Sequence, residues 1–354
     1  MADTDYQVNS PLAVKRWSDK LMKESLKKCL FTKWMGTTSN SIIHIKTELN
    51  KGAGDRVTFG IRQQLAGAGV QGDNTLEGNE EALVTYTQNL FIDQLRHATR
   101  SNGEMSEQRV TFNLREENYD ALSDWWADRW ESWIINQLTG NTLQADIRYT
   151  GLQATVAPDA YHNVVANTTA IVEASLSDTT VCRFSLALID RARERAKLAV
   201  NTFRPVSVDG KELFVAVIHP YGVTALRQGI ASSQWSDIQL AAIAARDESD
   251  NPIYSGALGI YNQTVLFDST RIPFVTGAAD STGGAVRNLF LGAQAACVAW
   301  GQKNSKSTMS WSEKAFDYDN KLGVKAGCIG GAVKTRFNGS DFGVMVMSSF
   351  EKQG

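Results

Sequence analysis

Residues Glu104–Leu138, EMSEQRVTFNLREENYDALSDWWADRWESWIINQL, decide how the rest of the chain is read. Within them Tyr119, Leu122, Trp126, Trp130, Trp133, Ile134 and Leu138 recur at steps of three and four, the one-face spacing of an α-helix. Trp125 falls off that line, so a second face is partly apolar, while acids, Arg115 and Arg129 fill much of the remainder. Thr139-Gly140-Asn141 supplies a stop, because a glycine just past a helix end takes the left-handed conformation that caps it. The start is open: Arg109 to Leu114 alternates polar and apolar and reads as helix or strand. Burying a large aromatic side chain contributes roughly 2–3 kcal/mol. A helix with four of them needs packing partners on more than one side.

Composition bounds the rest. The chain has 354 residues, 43% hydrophobic and 21% charged, enough for two domains or one elaborated one. A net charge of −2 argues against a chain that coats nucleic acid over its whole surface. Few prolines and no low-complexity tract argue against long disordered linkers. Met1-Ala2-Asp3-Thr4-Asp5 is acidic and lacks an apolar segment, so no signal peptide is expected. No apolar run approaches the ~20 residues of a membrane span. Cys29, Cys182, Cys297 and Cys328 are scattered without a CxxC pair and are expected as buried free thiols.

Upstream of the rod, residues 1 to 11 read as a polar extended arm. Leu12 to Leu30 reads as a basic amphipathic helix, with Trp17, Leu21, Met22, Leu26, Cys29 and Leu30 on one face and Lys20, Lys23, Lys27 and Lys28 on the others. Asp55–Gln64 and Ala82–Leu95 are strand-like, the second with a break in alternation near Asn89 that fits a bulge. Between them Ala66–Glu81 is a long, glycine-rich, acidic tip. A two-stranded hairpin is marginal alone in water, so one this long implies a partner surface beyond its own domain.

Downstream, Phe184–Val200 reads as a helix with a narrow apolar line crowded by Arg183, Arg191, Arg193, Arg195 and Lys197. Glu212–His219 reads as a short buried strand, and Tyr221–Ala231 and Ser236–Ala245 as helices. Glycine-punctuated strands follow from Ile253 to Val275. Asn288–Trp300 is buried helix or strand, and the tail from Met309 ends on a strand.

No catalytic constellation emerges. Gly67-Ala-Gly-Val-Gln-Gly72 matches GxGxxG, but phosphate binding needs a helix N-terminus after it, and an acidic run leading into a strand follows here. His44, His97, His162 and His219 lack metal-ligand spacing. Glu80-Glu81 and Glu116-Glu117 are adjacent and point apart. The reading is therefore no enzyme, no cofactor and no metal.

Several stretches taken in order resemble the major capsid proteins of tailed phages of the N4-like family, which have the α+β HK97-like fold. They are Leu49–Phe59 with Leu76–Glu81, Trp235 with Asn251–Tyr261 and Arg271–Pro273, and Trp311–Lys314 with Asp317-Tyr318, Gly330 and Lys334–Gly343. The resemblance implies an N-terminal arm over 1–50 and an extended hairpin loop over 51–100. It implies a peripheral domain with a spine helix over 101–200, an axial domain over 201–305 and returning peripheral strands over 306–354. It implies a subunit that self-assembles, as hexamers and pentamers, into an icosahedral shell around a double-stranded DNA genome. The shell would be built in the host cytoplasm and kept as the virion capsid, with scaffolding, portal and decoration proteins as further partners and no membrane. On this reading Gly67, Gly69, Gly72, Asp73, Glu77, Glu80 and Glu81 form an inter-subunit hairpin tip. Trp126, Trp130, Trp133 and Leu138 form the spine core, and Lys20, Lys23, Lys27, Lys28, Arg191 and Arg195 are candidate DNA-facing residues. The alternatives are an encapsulin-like compartment shell and a nucleotide-dependent enzyme using Gly67–Gly72.

Overall fold

The computed structural model describes residues 21–353 apart from 47–53, 63, 64, 66, 112, 168–171, 200–202, 209, 249–251, 278–282 and 302–307. The expected polar arm and Lys20 lie outside the described residues, and of the basic amphipathic helix 21–28 is seen as helix.

The rod is two helices rather than one. α1 spans Glu104–Gln108 and α2 spans Leu114–Thr139. Asn113 starts the second, its side-chain oxygen accepting the Arg115 N–H at 3.0 Å. Glu116 and Glu117 follow in the first turn, where the positive end of the helix dipole favours acids. The alternation over Arg109–Leu114 is thus the approach to a cap, neither strand nor continuous helix. Gly140 ends α2 as expected, at φ 59° and ψ 46°, its N–H returning to the Asn136 and Gln137 carbonyls.

α2 lies on a six-stranded sheet ordered β1 (Met35–Gly36), β2 (Ile43–Lys46), β13 (Ala296–Gly301), β15 (Lys321–Lys334) and β14 (Met309–Phe316), with β5 (Asp93–Arg100) along the other edge of β15. β15 pairs with β14 through Lys321–Cys328, with β13 through Ile329–Lys334 and with β5 through Gly323–Gly330. Opposed side chains of antiparallel strands share a face. One face meets α2: Trp311 packs on Tyr119 at 5.7 Å, Trp300 on Trp130 at 4.4 Å and His97 on Trp125 at 4.4 Å between ring centres.

The larger sheet is ordered β6 (Asn163–Val165), β18 (Val344–Glu351), β12 (Gly284–Leu291), β8 (Lys211–Ile218), β10 (Thr264–Asp268) and β9 (Gly259–Tyr261). β7 (Val206–Val208) joins β8 and β11 (Phe274–Gly277) joins β12. β8 runs parallel to β10 and is covered on both faces, which is why Leu213–Ile218 is continuously apolar. Val215 and Val217 join the core under α2, while Phe214, Ala216 and Ile218 pack with Leu188 and Ala192 of α3 (Leu186–Leu198). α4 (Pro220–Gly229) and α5 (Ser232–Glu248) follow β8.

Three boundaries differ from the expected ones. Ala82–Leu95 divides: β4 (Thr85–Phe91) pairs with β3 (Arg56–Arg62), and after Ile92 the chain becomes β5 and crosses to β15. Asn89 stays in register opposite Thr58, so the break falls at Ile92 instead. Asn288–Trp300 contributes to two strands, β12 and β13, in different sheets. The tail divides likewise. β14 and β15 lie in the smaller sheet, β16 (Arg336–Phe337) and β17 (Ser340–Asp341) pair with each other, and β18 sits inside the larger sheet.

Candidate inter-subunit surfaces

The hairpin is anchored at its root and bare at its tip. Val57 of β3 and Leu90 of β4 are buried with Cys297 and Ala299 of β13, and Phe59 meets Phe337 edge-on at 6.2 Å. The Gln88 side chain donates to the Lys334 carbonyl at 2.7 Å and accepts the Arg336 N–H at 2.6 Å. Beyond Thr85 the hydrogen bonds described are local. The Gly67 N–H reaches Glu81, the Gly78 N–H reaches Glu80, and Asn74 and Asn79 bond nearby carbonyls. Leu65, Leu76 and Leu83 are 57–60% exposed. Gly69 and Gly72 have φ of 74° and 65°, with open space where a side chain would sit. The Gly67–Gly72 segment leads through exposed coil into β4, so the helix N-terminus a phosphate cradle requires does not follow it.

The spine residues are in the core: Trp126, Trp130, Trp133 and Leu138 are each at most 1% exposed. Trp130 touches Trp126, Trp133 and Trp300 at 5.1, 5.0 and 4.4 Å. The Trp133 indole N–H donates to the Arg148 carbonyl at 2.7 Å. Arg129 is buried with its guanidinium 4.8 Å from the Trp125 ring and 3.8 Å from the Tyr149 ring, so two aromatic faces support its charge.

The candidate DNA-facing residues fall into two groups. Lys23, Lys27 and Lys28 are exposed, and Lys28 pairs with Asp124 of α2 at 2.5 Å. Arg191 and Arg195 turn inward. Arg191 donates to the Ala166 carbonyl at 3.0 Å, and Arg195 to the Tyr161 and Asn163 carbonyls at 3.3 and 3.0 Å. They clamp β6 and its neighbours to α3, a use that helical spacing alone does not display.

Two buried charge clusters were not singled out in the sequence. Lys334 and Asp341 are 2% and 1% exposed and pair at 2.8 Å; Lys334 also donates to the Val156 carbonyl, and Arg336 holds the other Asp341 oxygen. Burial pushes the Lys334 amine below its ordinary pKa, against the pull of Asp341. Burial raises the Asp159 carboxyl, but hydrogen bonds from His162 and the Asp341 N–H outweigh that and hold it well below the usual range. Burial acts likewise on Glu173, and Arg287, Ser348 and Asn163 outweigh it. Arg287 also donates to the Thr139 and Gly140 carbonyls, tying the end of α2 to the larger sheet. The cysteines are free and buried as expected, and burial lifts the Cys29 and Cys297 thiols to about 11. Among the described residues no group of His, Cys, Asp and Glu is placed to hold a metal ion.

The family model described as "Phage capsid protein" matches residues 5–352. A curated relative, the "Major capsid protein" of Pseudomonas phage KPP25, is 27% identical over 93% of this chain and 93% of its own length. Among solved structures, the capsid of Ralstonia phage GP4 superposes with a TM-score of 0.82 at 33% identity, over 99% of each chain. The cyanophage Pam1 capsid asymmetric unit superposes with a TM-score of 0.72 at 20% identity, over all of both chains.

Proposed function

The chain belongs to the phage capsid protein family and has the HK97-like fold, and from that premise we propose that it is the major capsid protein of a tailed phage. Copies of it join as hexamers and pentamers into an icosahedral shell that encloses the double-stranded DNA genome. The shell is built in the host cytoplasm and forms the virion capsid. Scaffolding, portal and decoration proteins are its further partners in that pathway.

The observation that carries the reading is the hairpin. Its root is locked to β13, β15 and β16, while its tip presents Leu65, Leu76 and Leu83 to solvent. Apolar side chains exposed at such a tip are covered when copies join. Shell subunits use interfaces on the order of 2,000 Å² or more, and such a ribbon supplies area without enlarging the core. In domain terms, 1–50 is the arm, 51–100 the interlocking loop together with β5, which returns to the smaller sheet, and 101–200 the peripheral domain around α2. Residues 201–305 are the axial domain and 306–354 the returning strands. Lys23, Lys27 and Lys28 are the cations best placed to meet packaged phosphates, since Arg191 and Arg195 hold carbonyls.

Deleting residues 66–80 tests this directly. Soluble subunits with an unchanged melting midpoint that no longer close particles, seen by electron microscopy, are expected. Normal particles from the deletion would refute the interlocking role.

A further inference from the structure

The face of the six-stranded sheet turned away from α2 carries charge of one sign. Pairing register produces it. Arg96, Ala98 and Arg100 of β5 lie opposite Gly327, Lys325 and Gly323 of β15, which lie opposite Ser310, Ser312 and Lys314 of β14. Lys321 lies opposite Phe316. Side chains alternate between faces, so Arg96, Arg100, Lys314, Lys321 and Lys325 share one face with no Asp or Glu of these strands, while His97, Trp311 and Val324 take the other. All five cations are exposed or half-buried. Arg100 and Lys314 lie 4.5 and 5.0 Å from the Phe316 ring centre, and Lys321 reaches Asp317 in the following turn at 3.5 Å. Among the described residues Arg96 and Lys325 pair with no carboxylate. Like charges across neighbouring strands repel, and an anionic partner relieves that.

The complementary charge is on the same chain. No Lys or Arg occurs from Gln63 to Leu95, and Asp73, Glu77, Glu80 and Glu81 all fall in the hairpin tip. The hairpin passes Lys334 and Arg336, at the far end of β15, whereas Arg100 pairs with Gly323 near its beginning. Within one copy the acidic tip and the basic face therefore lie toward opposite ends of β15. Between copies set head to tail they meet, and a heterologous contact of that kind repeats around a ring.

We propose that the acidic hairpin tip of one copy docks on the Arg96–Arg100–Lys314–Lys321–Lys325 face of the next. The proposal rests on the interlocking role of the hairpin and names its receiving surface. Phe316 offers an apolar centre to Leu76 and Leu83 of the tip, and the charges around it fix register and partner.

Charge reversal tests it. Arg96→Glu with Lys325→Glu should lower particle yield about tenfold or more, with the subunit's circular dichroism and melting midpoint unchanged. Adding Glu77→Lys with Glu80→Lys to that variant should recover the yield. As a second readout, copies bearing Glu77→Cys mixed with copies bearing Lys325→Cys should form disulfide-linked dimers on oxidation, because the four native cysteines are buried and compete little. Wild-type yield from the face reversal, with no cross-link, overturns the proposal. If deleting 66–80 still prevents closure in that case, the hairpin's role survives and only the receiving surface is wrong. Loss of packaged DNA at unchanged particle yield also overturns it, since the face would then serve a nucleic acid.

Discussion

Asp159 shows how single residues are tuned to hold the fold. Its carboxylate accepts from the His162 ring at 2.9 Å and from the Asp341 N–H at 2.8 Å, bracing the segment before β6 against β17. Glu173 does the same for Arg287, with its two oxygens on one guanidinium at 2.7 Å. Both carboxyls are held below their ordinary pKa. A folded pKa below the unfolded value of about 4 contributes stability that is present above that pH and lost as pH falls through the folded value. The melting midpoint should therefore drop on acidification below about pH 4, and Asp159→Asn should flatten that drop; an unchanged slope would sink the assignment. None of this was legible in the sequence. Asp159, Asp341 and Lys334 are brought together by a sheet and a small hairpin, and nothing in their spacing announces it. Arg191 and Arg195 make the same point from the other side. Their helical positions were clear, but the carbonyls they bind come from 161–166, a stretch with little periodic signal.

At the scale of elements, α2 was the most legible part. Its apolar spacing and Gly140 are local signals, and both hold. Its beginning was less clear because Asn113 caps a helix only where the chain turns before it, and alternation over Arg109–Leu114 masks that turn. The split between β4 and β5 was hidden for a different reason. The irregularity near Asn89 pointed to a bulge, whereas the change of partner from β3 to β15 falls at Ile92 and depends on residues more than 200 positions later. The continuous apolar run of β8 was read correctly as a buried strand, and the structure shows why it lacks a polar face: it is covered on both sides. α2 also gives the clearest energetic test. Trp130 is 1% exposed and meets three other indoles, so Trp130→Ala leaves a void the neighbours cannot fill. It should cost about 3–5 kcal/mol by chemical denaturation, with Trp130→Phe losing distinctly less. Equal losses from both would show that the site tolerates collapse.

For the whole molecule, the resemblance pointed to a capsid protein but not to how its strands are woven together. β18 lies between β6 and β12, pairing with β12 over eight residues from Val344 to Glu351, so the larger sheet is closed by residues made long after β8. Ending the chain before Val344 leaves the inner edges of β6 and β12 unpaired and uncovers Met345 and Met347 partners such as Phe290 and Phe214. That truncation should yield aggregated protein with no monomer peak on size exclusion; a soluble monomer with a native spectrum would contradict the weave. If truncated copies aggregate in that way, the same arrangement serves as an inspection step during synthesis. A nascent polypeptide on the ribosome cannot finish its larger sheet until translation has reached Glu351. Prematurely terminated copies would thereby be withheld from the growing lattice, where one defective tile among many would weaken the container.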